Sequence, residues 1–282
     1  MDNRAIGYID SGVGGLTVVK QALTQIPNEQ VYYIGDTLRM PYGPRPQEEV
    51  LNFTWQMVNY LLKKDIKMLV VACNTATAAA LPDLQSKLKI PVVGVIQPGV
   101  DAALATTTAA EIGVIATAGT VSSLAYYNAL LQGNNTAKVT QLAVPEFVDV
   151  VENHDYTSVA AQQLVFDKLG YFEEHQVDTL ILGCTHFPLL EPFIQAAMGP
   201  GVKLINSGAK TINLVEQTLE QYDLRHDAAV PVDHHHDEYF TTGHVARFAE
   251  LGEKWLALEQ MSVKHLELVA DTLIINKNTE LD

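Results

Sequence analysis

Short β-branched runs alternate with longer amphipathic stretches along most of this chain, and no other feature constrains the fold as much. Candidate strands fall at residues 6–10, 31–36, 68–72, 92–96, 112–116, 138–144, 179–183 and 203–206. Helical patterns occupy 48–64, 75–88, 121–132, 158–173 and 187–198. Strand followed by helix, repeated, predicts an α/β architecture with a mostly parallel sheet and helices on both faces. In such sheets ligands bind beyond the carboxyl ends of the strands.

The pattern also repeats at a longer range. Ile6-Gly7-Tyr8-Ile9-Asp10-Ser11-Gly12 is echoed by Ile112-Gly113-Val114-Ile115-Ala116-Thr117-Ala118. The run ending Ala72-Cys73-Asn74-Thr75 is echoed by Gly183-Cys184-Thr185-His186, and Val95-Ile96-Gln97-Pro98-Gly99 by Leu204-Ile205-Asn206-Ser207-Gly208. The offsets between the compared segments are 106, 111 and 109 residues, close enough to predict two related lobes facing each other, each presenting one cysteine. A length of 282 residues fits two domains. The expected division is 1–96 plus 210–270 for the first lobe and 97–209 for the second, with 271–282 as a C-terminal tail. Residues 238–242 and 263–269 read as strands flanking a helix at 245–258, which extend the first lobe when the chain returns.

A net charge of −15 argues against nucleic acid or an anionic membrane as the main partner. An anionic ligand must then be held by local donors. No apolar run approaches the ~18 residues of a membrane span, and the start is too short and polar for a signal peptide. Two cysteines do not make a secreted disulfide scaffold, so the expected setting is the reducing cytosol with both thiols free.

Cys73 and Cys184 each close an apolar strand just before a helix. A helix N-terminus offers unpaired N–H groups and a positive dipole end, which predicts lowered thiol pKa values. Either cysteine alone reads as a small buried hydrophobe; the only two, in matching contexts, read as functional. A disulfide, a zinc site from Cys73, Cys184 and His186, and two-base chemistry all remain open. The last fits the arrangement best, because inverting a stereocentre needs one group to remove a proton and another to return one on the opposite face.

Asp10-Ser11-Gly12-Val13-Gly14-Gly15-Leu16 follows the first strand and opens a helix. Thr17 stands where the third glycine of a dinucleotide fingerprint belongs, although Asp36 lies at a suitable distance for a ribose contact. The turn is better used to bring N–H groups to a small carboxylate, leaving Asp10 as proton partner or helix cap. Met40-Pro41-Tyr42-Gly43-Pro44 is a rigid turn that can wall a pocket with N–H donors. Glu152 is a lone carboxylate whose default is a solvated helix face, and His186 could tune the Cys184 thiol or donate to a substrate. Asp233-His234-His235-His236-Asp237 reads as a solvated turn rather than a metal site.

These motifs, with Ala72-Cys73-Asn74-Thr75-Ala76-Thr77 and Gly183-Cys184-Thr185-His186-Phe187-Pro188-Leu189-Leu190, resemble the cofactor-independent aspartate/glutamate racemase superfamily, its glutamate racemases in particular. They stand in the family order from about Ile6 into the 250s; Phe187 departs from a common tyrosine. The resemblance implies two pseudo-symmetric flavodoxin-like lobes with the active site in the cleft. It implies interconversion of L- and D-glutamate for peptidoglycan, without cofactor or metal, in a cytoplasmic homodimer. Cys73 and Cys184 match the acid/base thiols, Asp10 and His186 their partners, and Glu152 a further acidic residue. Asp10, Ser11, Pro41, Tyr42, Gly43, Asn74, Thr75, Thr185 and His186 match substrate-binding positions. Two rivals remain: a non-catalytic two-lobed amino-acid-binding protein, and a nicotinamide-dependent dehydrogenase.

Overall fold

The computed structural model describes residues 1–276. In chain order the elements are β1 (Ile6–Asp10), α1 (Leu16–Gln25), β2 (Val31–Gly35), α2 (Gln47–Lys63), β3 (Met68–Val71), α3 (Asn74–Lys87), β4 (Val92–Gly94) and α4 (Ile96–Thr106). There follow β5 (Glu111–Ala116), α5 (Ala118–Ser122), α6 (Ala125–Gly133), β6 (Lys138–Ala143), α7 (Glu146–Glu152), α8 (Val159–Leu169), β7 (Thr179–Gly183), α9 (Glu191–Met198) and β8 (Lys203–Asn206). The chain ends with α10 (Ser207–Gln221), β9 (Glu238–Thr241), α11 (Val245–Leu256), β10 (Val263–Val269) and β11 (Thr272–Ile275).

The strands form two sheets, ordered β11-β10-β9-β2-β1-β3-β4 and β6-β5-β7-β8. Among the described residues every pairing is parallel except β10 with β11. The run β2-β1-β3-β4 has the same order as β6-β5-β7-β8, so the sequence echoes correspond to equivalent strands: β1 with β5, β3 with β7, and the end of β4 with β8. The central strands are almost wholly buried, as expected where helices cover both faces of a parallel sheet. The returning chain completes the first sheet, with β9 pairing along β2 from Tyr32–Glu238 to Gly35–Thr241. Helix α10 packs on both α1 and α4 and so joins the two halves.

Several expected helices are broken. The 121–132 stretch divides at Leu124, which takes a left-handed conformation (φ 55°) between α5 and α6. Pro188 and Pro192 lack N–H donors, and the 187–198 stretch becomes a 3₁₀ turn at Phe187–Leu190 followed by α9. The end of the 158–173 stretch tightens into a 3₁₀ turn at Gly170–Glu173. Helix α4 begins inside the strand expected at 92–96 and buries Ile96, Val100 and Ala103 on one face despite Pro98-Gly99. Part of the expected tail is strand: β11 folds back antiparallel on β10. The remaining tail positions, 277–282, lie outside the described residues. The histidine run is a 3₁₀ turn that ties the sheet edge, with His234 between Asp237 and the Pro27 carbonyl while Asp237 accepts from the Val31 N–H.

Candidate active site

The carboxyl ends of β1, β3, β5 and β7 converge on one narrow cavity of about 20 Å³ between the two sheets. The first half contributes Ser11, Met40, Pro41, Tyr42, Gly43, Cys73, Asn74 and Thr75. The second contributes Thr117, Val148, Cys184, Thr185 and His186. A parallel sheet places successive strand-end loops on one side, so residues far apart in sequence meet there without special pleading. The two sulfurs come from different halves and line the same space.

Cys73 is the N-cap of α3, its sulfur accepting from the Ala76 N–H at 3.5 Å and donating to Ser11 Oγ at 3.7 Å. The expectation of a lowered pKa fails here. Burial, reinforced by the Asp10 carboxylate, pushes the thiol up to about 12, overriding the Ala76 N–H and Ser11 bonds. Cys184 departs from the expected context too, since the 3₁₀ turn at Phe187–Leu190, not an α-helix, follows it. Its sulfur lies 3.7 Å from His186 Nδ1, and His186 Nε2 lies 2.6 Å from Glu152 Oε1. Burial alone would depress the imidazole pKa; the bonds to Cys184 and Glu152 hold it well above the usual histidine value. A protonated ring donates at both nitrogens, and both have acceptors here. Glu152 is therefore not the solvated carboxylate of the default reading but a buried partner of His186 at the end of α7. Its main-chain carbonyl accepts from Arg247 at 2.7 Å.

Asp10 is fully buried beneath the cavity and does not line it. One oxygen accepts from the Gly12 N–H at 2.9 Å and the other faces Thr185 Oγ1 at 3.4 Å. It is not the cap of α1, which begins after Gly15. Burial raises the Asp10 pKa, opposed by the His186 charge. Two glycines of this turn are required by close packing: a Cβ on Gly14 would stand 2.3 Å from Thr185 Oγ1, and one on Gly15 would stand 2.6 Å from Asp10 Cβ. The turn is thus filled by the opposite wall and its own strand. Asp36 is equally engaged, taking Tyr42 Oη, Arg39 Nε and Thr242 Oγ1, which overturns the ribose reading.

Around the wall, Thr75 Oγ1 meets Thr117 Oγ1 at 2.9 Å and Thr120 Oγ1 at 3.1 Å. Asn74 Oδ1 accepts from Tyr126 Oη. Sequence reasoning missed Thr117 as a site residue, although the repeat carried the signal: it is the counterpart of Ser11 at the end of β5. Val148 and Met40 had no comparable signal. The lining, among the described residues, holds no lysine or arginine, and a carboxylate ligand would meet hydroxyls, amides, main-chain donors and the His186 ring. Two sulfurs from different halves, one backed by a His–Glu pair, thus line one cavity.

Comparisons with known proteins follow the same line. Residues 9–215 match the model of the Asp/Glu/Hydantoin racemase family. A glutamate racemase of Lactiplantibacillus plantarum is 51% identical, the match covering 95% of this chain and 97% of that one. The crystal structure of glutamate racemase isoform RacE1 from Bacillus anthracis superposes with a TM-score of 0.90 at 42% identity, covering 95% and 99% of the two chains. That of the Francisella tularensis glutamate racemase, in complex with D-glutamate, gives 0.85 at 30% identity over 94% and 98%.

Proposed function

The chain belongs to the Asp/Glu/Hydantoin racemase family and is an amino-acid racemase; from that premise we propose that it interconverts L- and D-glutamate by two-cysteine proton transfer at the α-carbon. The observation that carries the mechanism is the pair of sulfurs, Cys73 and Cys184, contributed by different halves to one cavity. In one direction the Cys184 thiolate, beside protonated His186, takes the α-proton, and the electron pair moves into the α-carboxylate. The Cys73 thiol then delivers its proton to the other face. The product leaves the two sulfurs in exchanged protonation states, and the reverse direction begins from there.

Such a carbanion must be met by donors already in place, in a cleft that excludes water. Ser11, Asn74, Thr75 and Thr185 supply side-chain donors, and the Pro41-Tyr42-Gly43 turn supplies main-chain N–H groups. Asp10 assists on the Cys73 side, while His186 and Glu152 assist Cys184. The reaction on this reading needs neither cofactor nor metal. The lobes are 1–96 with 210–270 and 97–209. D-Glutamate for peptidoglycan is the proposed product, made by a homodimer in the cytosol. No helix among the described residues is long and apolar enough to cross a membrane.

The test is L-glutamate in deuterated water without added cofactor, with L-aspartate in parallel. Loss of the α-proton signal together with decay of optical rotation is the expected result for glutamate. Binding without exchange would instead favour a binding protein, and a requirement for NAD a dehydrogenase. Changing Cys73 or Cys184 to alanine should lower racemisation by roughly 10³-fold or more. Near-wild-type turnover in either variant refutes the two-base scheme.

A further inference from the structure

Asn74 opens α3, and its side chain lies on the cavity wall. An asparagine amide helps to hold a carboxylate in only one of its two orientations: the nitrogen donates, whereas the oxygen repels. Here the oxygen is already engaged. Tyr126, on α6 in the second half of the molecule, donates its hydroxyl to Asn74 Oδ1 at 2.7 Å. Among the described residues the Asn74 amide nitrogen has no hydrogen-bond partner of its own.

The tyrosine is built to stay in place. It is fully buried, and its ring packs close against Gly183 and touches the Gly99 position at ordinary contact distance. A Cβ on Gly183 would approach ring atom Cε2 to 3.1 Å, and one on Gly99 would approach Cε1 to 3.6 Å. Burial raises the phenol pKa against a hydrogen bond with Ser207 that lowers it, so the hydroxyl keeps its proton across the neutral range while also meeting Ser207.

We propose that Tyr126 is a positioning residue for the reaction: by donating to Asn74 Oδ1 from the opposite half of the molecule, it turns the amide nitrogen toward the substrate carboxylate. This inference rests on the glutamate reading of the site. Phenylalanine at position 126 keeps the ring packing and removes the donor. The amide then either leaves Oδ1 buried without a partner or turns it toward the ligand, and both outcomes weaken binding.

The experiment is a double-mutant cycle of Tyr126→Phe and Asn74→Ala. It is read as kcat/KM for L-glutamate and as the Kd of DL-glutamate by calorimetry, a mixture that turnover leaves unchanged. Tyr126→Phe should lower kcat/KM about tenfold and weaken binding by a similar factor. In the Asn74→Ala background the same substitution should change either quantity by less than about twofold, because no amide is left to orient. Equal losses in both backgrounds, the signature of a structural tyrosine, overturn the proposal, as does a Tyr126→Phe protein indistinguishable from wild type. Asn74→Asp gives a test independent of how the phenylalanine variant folds. It keeps the Tyr126 bond but turns a second oxygen toward the ligand, and it should bind DL-glutamate more weakly than Asn74→Ala; equal or tighter binding overturns the assignment. A wild-type chain that binds DL-glutamate without racemising it would sink the racemase reading and leave this cycle, read on binding, intact.

Discussion

His186 stands between a sulfur and a carboxylate, and each neighbour changes what the ring does. The Glu152 carboxylate at 2.6 Å favours the imidazolium, and the imidazolium in turn presents a proton toward Cys184 at 3.7 Å. Asp10, beneath the same wall, is the other acidic group whose charge couples to the ring. Removing one carboxylate partner destabilises the charged ring, so its pKa must fall. Glu152→Gln should therefore move the alkaline limb of the kcat/KM profile to lower pH, because His186 loses its proton earlier as pH rises. A limb that stays at its wild-type position would mean that Glu152 does not set the protonation of the histidine. Cys73 is the contrasting case: burial and the Asp10 carboxylate push its pKa up to about 12, which in the proposed scheme suits it to begin the L-to-D direction as the acid.

The turn between β1 and α1 acts as a spacer as much as a ligand loop. Gly14 lets the main chain pass against Thr185 and His186, and an added Cβ would lie 2.3 Å from Thr185 Oγ1 and 2.6 Å from His186 Nδ1. Gly14→Ala must push aside the Thr185 and His186 side chains, which directly follow Cys184. A displacement on the order of 1 Å at a reacting group costs roughly 10²-fold in rate, and kcat/KM should fall by about that factor in a protein that still folds. Gly170→Ala is the matched control, since nothing lies within 4 Å of a Cβ at that position. Wild-type kinetics for Gly14→Ala would show that the two halves tolerate wider spacing than their packing suggests.

Over the whole molecule, the charge of −15 opposes the arrival of an anionic substrate, and the cavity answers with neutral donors and the His186 ring, whose charge is buried against Glu152 and so little screened by salt, rather than with lysine or arginine. These two facts give an unusual sign for the salt dependence. Long-range repulsion is screened within ~10 Å at 0.1 M salt, while hydrogen bonds from hydroxyls and amides have little Coulomb attraction to lose. The KM for glutamate should thus fall, by about twofold to threefold, between 0.01 and 0.15 M sodium chloride. A KM that rises with salt would reveal a cationic contact that dominates binding.

The alternation of apolar strands and amphipathic helices, the internal repeat and the place of both cysteines at strand ends were legible in the chain itself. The alternation and the cysteine positions depend on residues close together in sequence, the repeat on comparing segments about 110 residues apart, and a parallel sheet then determines which strand ends share a side. Thr117 was legible by the same route, through its equivalence to Ser11. Other features required the folded molecule. Glu152 meets His186 across 34 positions, Thr75 meets Thr117 across 42, and Tyr126 meets Asn74 across 52, with nothing local in the sequence pairing them. The direction of the Cys73 pKa was misread for a related reason. The end of a helix is a local property, whereas burial adds up contributions from every segment that closes over the sulfur, and here the surroundings outweigh the helix.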